Sequence, residues 1–130
     1  MRDKPLILMV DDDEDLRKLV ATKLTASGYA TDTAPNAKEG VAKAEQIMPD
    51  LILMDIHMPG ATGTDAALEL KQNPKTKNIR IVFLSSLKDP WPALSGSKGE
   101  VSKELGVEDF IDKTEDLDVL VGKVQKLLGK

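Results

Sequence analysis

Five times along this chain a short apolar run gives way to a stretch of helical periodicity, and that alternation leaves few architectures open. Leu6 to Val10 is a continuous apolar run, Tyr29 to Thr33 a weaker one, and Asp50 to Asp55 holds the strongest, Leu-Ile-Leu-Met. Ile79 to Leu84 follows, and Phe110 and Ile111 mark the last. A run with no polar alternation suits a strand covered on both faces. Between the runs lie helical patterns. One opens at Asp13, Glu14 and Asp15, carries Leu16, Leu19, Val20, Lys23 and Leu24 at helical spacing, and ends at Ser27-Gly28. A second runs from Ala37 to Met48, with Asn36 as N-cap and Val41, Ala44, Glu45 and Met48 at helical spacing, and Pro49 stops it. Thr64 to Gln72 is a third, broken by Asn73-Pro74, and Glu100 to Leu105 a short fourth before Gly106. The last opens at Asp116 or Asp118 and reaches about Leu128, with Leu120, Val121, Val124, Leu127 and Leu128 on its apolar side. Strand–helix alternation of this kind predicts an α/β fold: a (βα)5 doubly wound, five-stranded parallel sheet with helices on both faces. Right-handed crossovers bring every strand's C-terminal end to one edge, and ligands bind at that edge.

At 130 residues the chain suits one domain, residues 1–130, large enough for a real core. A net charge of −4 disfavours non-specific binding to nucleic-acid phosphates. The chain has no cysteine, which excludes a disulfide framework, thiolate metal sites and a cysteine nucleophile, and fits a cytoplasmic protein. The short apolar run at the N-terminus is interrupted by charge at Asp11, so it is neither a signal peptide nor a membrane span.

The strand ends carry the chemistry. Asp11 and Asp12 follow the first run, Asp55 ends the third, and Lys113 follows the fifth. On one sheet edge these three carboxylates and an ammonium share a small space. Such a cluster repels itself unless a hard cation sits in it, and Mg²⁺ with oxygen ligands suits that role. A carboxylate beside Mg²⁺ and a lysine is placed to receive a phosphoryl group, because that transfer needs mostly positioning and charge neutralisation. Taken one at a time, these residues have plainer readings. Asp13, Glu14 and Asp15 simply complement a helix dipole. A lone Asp after a strand is usually a turn residue, a lone Ser85 likewise, Lys113 a solvated lysine and Phe110 core. The combination is what favours a site.

Taken in order, these positions resemble the receiver domain of two-component response regulators, over essentially the whole chain. Asp11-Asp12 resembles the family's acidic pair, and Asp55 within Asp55-Ile56-His57-Met58-Pro59-Gly60 its phosphoacceptor and Met-Pro-Gly loop. Ser85 after Ile81-Val82-Phe83-Leu84 resembles the switch Ser/Thr, Phe110 the aromatic switch and Lys113 the invariant lysine. Asp12 to Asp55 is 43 positions and Asp55 to Ser85 is 30, both typical of the family. The resemblance implies the strand order 2-1-3-4-5. It also implies a phosphohistidine donor on a sensor histidine kinase or a histidine phosphotransfer domain. Asp55 would be the nucleophile, with Mg²⁺ (or Mn²⁺ in its place) held by Asp11, Asp12, Asp55 and the His57 backbone carbonyl. Lys113 and Ser85 would contact phosphoryl oxygens. Ser85 and Phe110 would then repack the face formed by the fourth helix, fifth strand and fifth helix for an output protein or a second copy. No direct nucleic-acid or membrane contact is implied.

The chain departs from the family pattern at three places. Thr114 stands where proline usually follows the lysine, and a cis bond before threonine costs roughly 3–4 kcal/mol, so a trans peptide is expected. The stretch from Ser85 to Lys113 is long, with the excess in Lys88 to Gly99 around Pro90, Trp91 and Pro92; a loop of this kind is either functional or mobile. Trp91 there is equally readable as a partner anchor or a loop cap. Leu87, two places after Ser85, stands where some members place a polar residue that helps water attack, which implies slow autodephosphorylation. After the last helix only Gly129 and Lys130 remain, so a stand-alone receiver and a domain excised from a larger regulator both fit.

Three other function classes compete. A pseudo-receiver, acting only as a protein-interaction module, would ordinarily have lost the phosphoacceptor, the acidic pair or the lysine, and this chain has all of them. An aspartate-nucleophile phosphohydrolase would ordinarily carry a second aspartate where His57 stands, and a cap as well. A nucleotide-binding Rossmann module lacks its Gly-rich loop after the first strand. The expectation is therefore a signalling phosphoacceptor and not an enzyme acting on other substrates.

Overall fold

The computed structural model describes residues 4–56, 63–85, 109–112 and 116–129, with residues 63, 64, 85 and 109–112 described by backbone alone. Its strands are β1 (Leu6–Val10), β2 (Ala30–Ala34), β3 (Leu51–Asp55), β4 (Arg80–Ser85) and β5 (Asp109–Asp112). All pairings are parallel and the order is β2-β1-β3-β4-β5. The helices are α1 (Glu14–Ala26), α2 (Ala37–Ile47), α3 (Gly63–Gln72) and a C-terminal helix, Leu117–Leu128. The α/β alternation expected from the sequence is borne out, as is the strand order. The short helix expected at Glu100 to Leu105 and the Lys88 to Gly99 loop with Trp91 lie outside the described residues.

The continuous apolar runs are explained by two separate cores. On one face Leu8, Val10, Ile52, Met54, Ile81 and Phe83 pack with α2 and α3 through Val41, Ala44, Ala67 and Leu70. On the other, Ile7, Met9, Leu51, Leu53, Val82 and Leu84 pack with α1 and the C-terminal helix through Val20, Leu24, Leu120, Val121 and Val124. Successive side chains leave a strand on opposite faces, so β1, β3 and β4 each supply both layers in alternation. Each fully buried Leu, Ile or Phe contributes roughly 1.5–3 kcal/mol. The central strands β1 and β3 therefore anchor both layers, and their C-terminal ends are the best-fixed points on that edge of the sheet.

Local signals set the helix boundaries. The Asp13 side chain accepts from the Leu16 N–H and caps α1, and Gly28 leaves the helix at φ +101°, where a side chain would be strained. Asn36 caps α2 by accepting from the Glu39 N–H while donating to the Glu39 carboxylate, a reciprocal pair at the helix entrance. Asp116 caps the C-terminal helix through the Asp118 N–H. Asp50 ties the start of β1 to β3, its carboxylate accepting from the Leu6 N–H at 2.8 Å.

Three side chains differ from the periodicity reading. Leu19, grouped with Val20 and Leu24 by helical spacing, is 57% exposed, while Val20 and Leu24 of the same set are buried. Met48 leaves α2 in the left-handed region and is exposed, so Ala44 and not Met48 ends the buried stripe. Tyr29 precedes β2 instead of joining it, but its ring is buried against the second core. Burial raises its phenol pKa above the ordinary value.

Gly40 was not singled out by the sequence reading. It sits inside α2 facing β1, where a Cβ would lie 2.8 Å from both γ-carbons of Val10. That close approach sets the height of α2 above the strand that leads directly into Asp11.

Candidate functional site

The parallel register brings the expected residues to one edge. Val10 is level with Met54 across β1 and β3, so Asp11 emerges beside Asp55. Asp55 pairs with Leu84 on β4, and Ser85 is one step further along. Ser85 in turn pairs with Asp112 on β5, and Phe83 with Phe110. The backbone at Ser85 and Phe110 therefore stands where the sequence reading places the switch residues. His57, Lys113, the peptide to Thr114 and Leu87 lie outside the described residues.

The carboxylates of Asp11, Asp12 and Asp55 converge, each offering an oxygen within 4.8 Å of the others. Asp11 and Asp55 are fully buried and Asp12 is exposed. Two buried carboxylates and one open to solvent describe a site that a small cation can enter from outside. Three hard oxygen donors of this charge fit a divalent cation such as Mg²⁺ and offer nothing to a soft metal.

The β1–α1 turn is held at several atoms. The Asp11 N–H donates to the Ala34 carbonyl at 3.2 Å, continuing the ladder with β2 one step past its last paired residues. The Asp11 carboxylate accepts from the Asp13 N–H at 2.9 Å, an Asx turn that aims its side chain. Arg17, one turn into α1, donates from its guanidinium to the Asp11 carbonyl at 2.7 Å. Sequence reasoning found the three carboxylates but not Arg17. Nothing in the spacing marks that arginine, because its partner is a backbone oxygen.

The comparisons with known proteins agree with this geometry. The family model for the response regulator receiver domain matches residues 7–125. The response regulator PleD of Caulobacter vibrioides is 35% identical over 121 residues, covering 93% of this chain and 25% of that protein. The DNA-binding dual master transcriptional regulator RpaA of Synechocystis is 29% identical, covering 97% of this chain and 50% of its own length. The chain thus spans between a quarter and a half of these curated relatives. Among solved structures, the chemotaxis protein CheY4 of Vibrio cholerae superposes with a TM-score of 0.82 at 26% identity, covering 95% of this chain and 98% of that one. A CheY-like receiver domain from Methanospirillum hungatei gives 0.82 at 27% identity, covering 95% and 94%. Among the described residues no helix is long and apolar enough to cross a membrane. With the fold, the strand order, the acidic edge and the family match in agreement, the chain belongs to the response regulator receiver domains of two-component signalling.

Proposed function

We propose that this chain accepts a phosphoryl group on Asp55 from a phosphohistidine of a sensor histidine kinase or histidine phosphotransfer domain. The observation that carries the reading is the convergence of Asp11, Asp12 and Asp55 at the C-terminal edge of a parallel sheet, with Asp55 fully buried at the end of β3. A carboxylate oxygen of Asp55 attacks phosphorus. The donor's P–N bond breaks, its electron pair stays on the imidazole, and an acyl phosphate forms. Mg²⁺, or Mn²⁺ in its place, would supply charge neutralisation for the phosphoryl oxygens and the three carboxylates when bound.

Asp11, Asp12 and Asp55 would hold that cation, and the His57 carbonyl would supply a further oxygen. Lys113 pairs with one phosphoryl oxygen and the Ser85 hydroxyl donates to another. The position of Ser85 on β4, one residue beyond the partner of Asp55, supports this role. Movement of Ser85 toward the phosphoryl group frees space for Phe110, two strands from Asp55, to turn inward. The face around β5 and the C-terminal helix then changes for an output partner or a second copy. Such a modification shifts the equilibrium only by its differential interaction with the two states, about 1–3 kcal/mol in typical couplings.

Intact-mass measurement after incubation with acetyl phosphate or phosphoramidate tests the reading. The expected result is a gain of one phosphoryl group, lost when Mg²⁺ is withheld and lost in Asp55→Ala. An unchanged mass from both donors in the presence of Mg²⁺ would shift the assignment to a non-phosphorylated interaction module.

A further inference from the structure

We propose that Arg17 is a positioning residue for the cation site, setting the direction of Asp12 through the backbone of Asp11. The inference rests on reading the acidic edge as a divalent-cation site.

Asp12 is the exposed member of the cluster, and among the described residues its side chain makes no hydrogen bond or ion pair; its orientation depends on the peptide that precedes it. That peptide carries the Asp11 carbonyl, the atom to which the Arg17 guanidinium donates at 2.7 Å. The bond is charge-assisted and short. Its neighbours are fixed independently: the Asp11 N–H by the Ala34 carbonyl, and the Asp11 carboxylate by the Asp13 N–H. The third constraint, on the carbonyl, comes from Arg17. Arg17 itself is anchored by the first turn of α1, where its N–H donates to the Asp13 carbonyl at 3.0 Å. Asp13 is in turn the α1 N-cap. Strand end, acidic turn and helix start are thereby closed into one hydrogen-bonded loop, and Arg17 joins its two ends. The side chain is half-buried, so its stem packs while its head reaches the turn.

A positive charge beside a cation site should, by charge alone, weaken cation binding. Orientation of Asp12 acts in the opposite sense. The two effects predict opposite outcomes when the guanidinium is removed, and this makes the proposal decidable. Groups that orient metal ligands from behind typically change metal affinity by 10–100-fold when removed.

The experiment is calorimetric titration with Mg²⁺ of the wild-type chain, Arg17→Met and Arg17→Lys, with urea midpoints of each in metal-free buffer. Methionine keeps an unbranched stem and removes the donor. Lysine keeps the charge and an N–H donor group in place of the planar guanidinium. The expected result is Mg²⁺ binding about tenfold weaker in Arg17→Met and largely recovered in Arg17→Lys. Equal or tighter binding by Arg17→Met would overturn the proposal, tighter binding marking Arg17 as a counter-charge only. A lowered urea midpoint with unchanged Mg²⁺ affinity would also overturn it, leaving Arg17 a structural bond of the fold. Absence of Mg²⁺ uptake by the wild-type chain would sink the cation-site reading itself, and that outcome is distinct from all the others.

Discussion

Asp55→Asn is expected to unfold at higher urea than the wild-type chain in metal-free buffer, and to lose most of the stabilisation that Mg²⁺ confers. The cause is the acidic edge. Asp11, Asp12 and Asp55 each bring an oxygen within 4.8 Å of the others, and two of the three residues are fully buried. At that separation each pair of charges repels by about 3 kcal/mol in a medium of effective dielectric constant near 20. Neutralising Asp55 removes two of the three pairs while keeping the side chain's shape. Solvent at the exposed Asp12 screens part of this, and the new amide adds a desolvation cost. A net gain on the order of 2 kcal/mol is the expected balance. Mg²⁺ reverses the ranking, because a ligand that binds only the folded state at a hundred times its Kd stabilises it by about 2.7 kcal/mol. Paired urea titrations with chelator and with saturating Mg²⁺ check both halves. An Asp55→Asn chain less stable than wild type in chelator would mean that the other interactions of the Asp55 carboxylate outweigh its repulsion by Asp11 and Asp12.

The second large effect concerns Gly40. Alanine at a helix interior is ordinarily worth about 1 kcal/mol more than glycine. Here the added Cβ would lie 2.8 Å from both Val10 γ-carbons, and Val10 is fully buried on a central strand. A β-branched side chain has little rotamer freedom with which to yield. Overpacking of this kind costs about 1–3 kcal/mol. Gly40→Ala is therefore expected to lower stability despite the better helix former. Val10→Ala in the same chain should recover part of the loss, so the double variant is less destabilised than the sum of the singles. Urea midpoints of the two singles and the double decide it. A Gly40→Ala chain more stable than wild type would show that α2 can lift away from β1 at little cost.

Much of the architecture could be read before any coordinates, because the strands are buried on both faces and write their position into the sequence. Leu6–Val10 and the Leu-Ile-Leu-Met run of β3 are continuous apolar runs followed at once by acid, and these two strands carry the site. The acidic trio was legible for the same reason: a charge at the end of such a strand has few places to point other than the sheet edge. Strand order was not legible from periodicity and came from family resemblance. Helix faces were read less well. Leu19 falls at a spacing that suits the stripe of α1, yet only the packing partner decides which edge of a stripe is buried, and Val20 and Leu24 hold that place. Gly40 did leave a signal, a lone glycine among helix formers in Ala37–Ile47, which in a helix interior marks a close approach. Arg17 left none, since a bond from a side chain to a backbone carbonyl has no residue-type signature.

Asp55 itself is expected to carry the phosphoryl group, and chemical trapping reads that directly. Borohydride reduces an acyl phosphate of aspartate to homoserine, so peptide mapping of the chain after phosphorylation and reduction locates the modified carboxylate. The expected result is homoserine at position 55, with Asp11 and Asp12 unchanged and no conversion when Mg²⁺ is withheld. Homoserine at position 11 or 12, or a phosphorylated chain with position 55 intact, would contradict it.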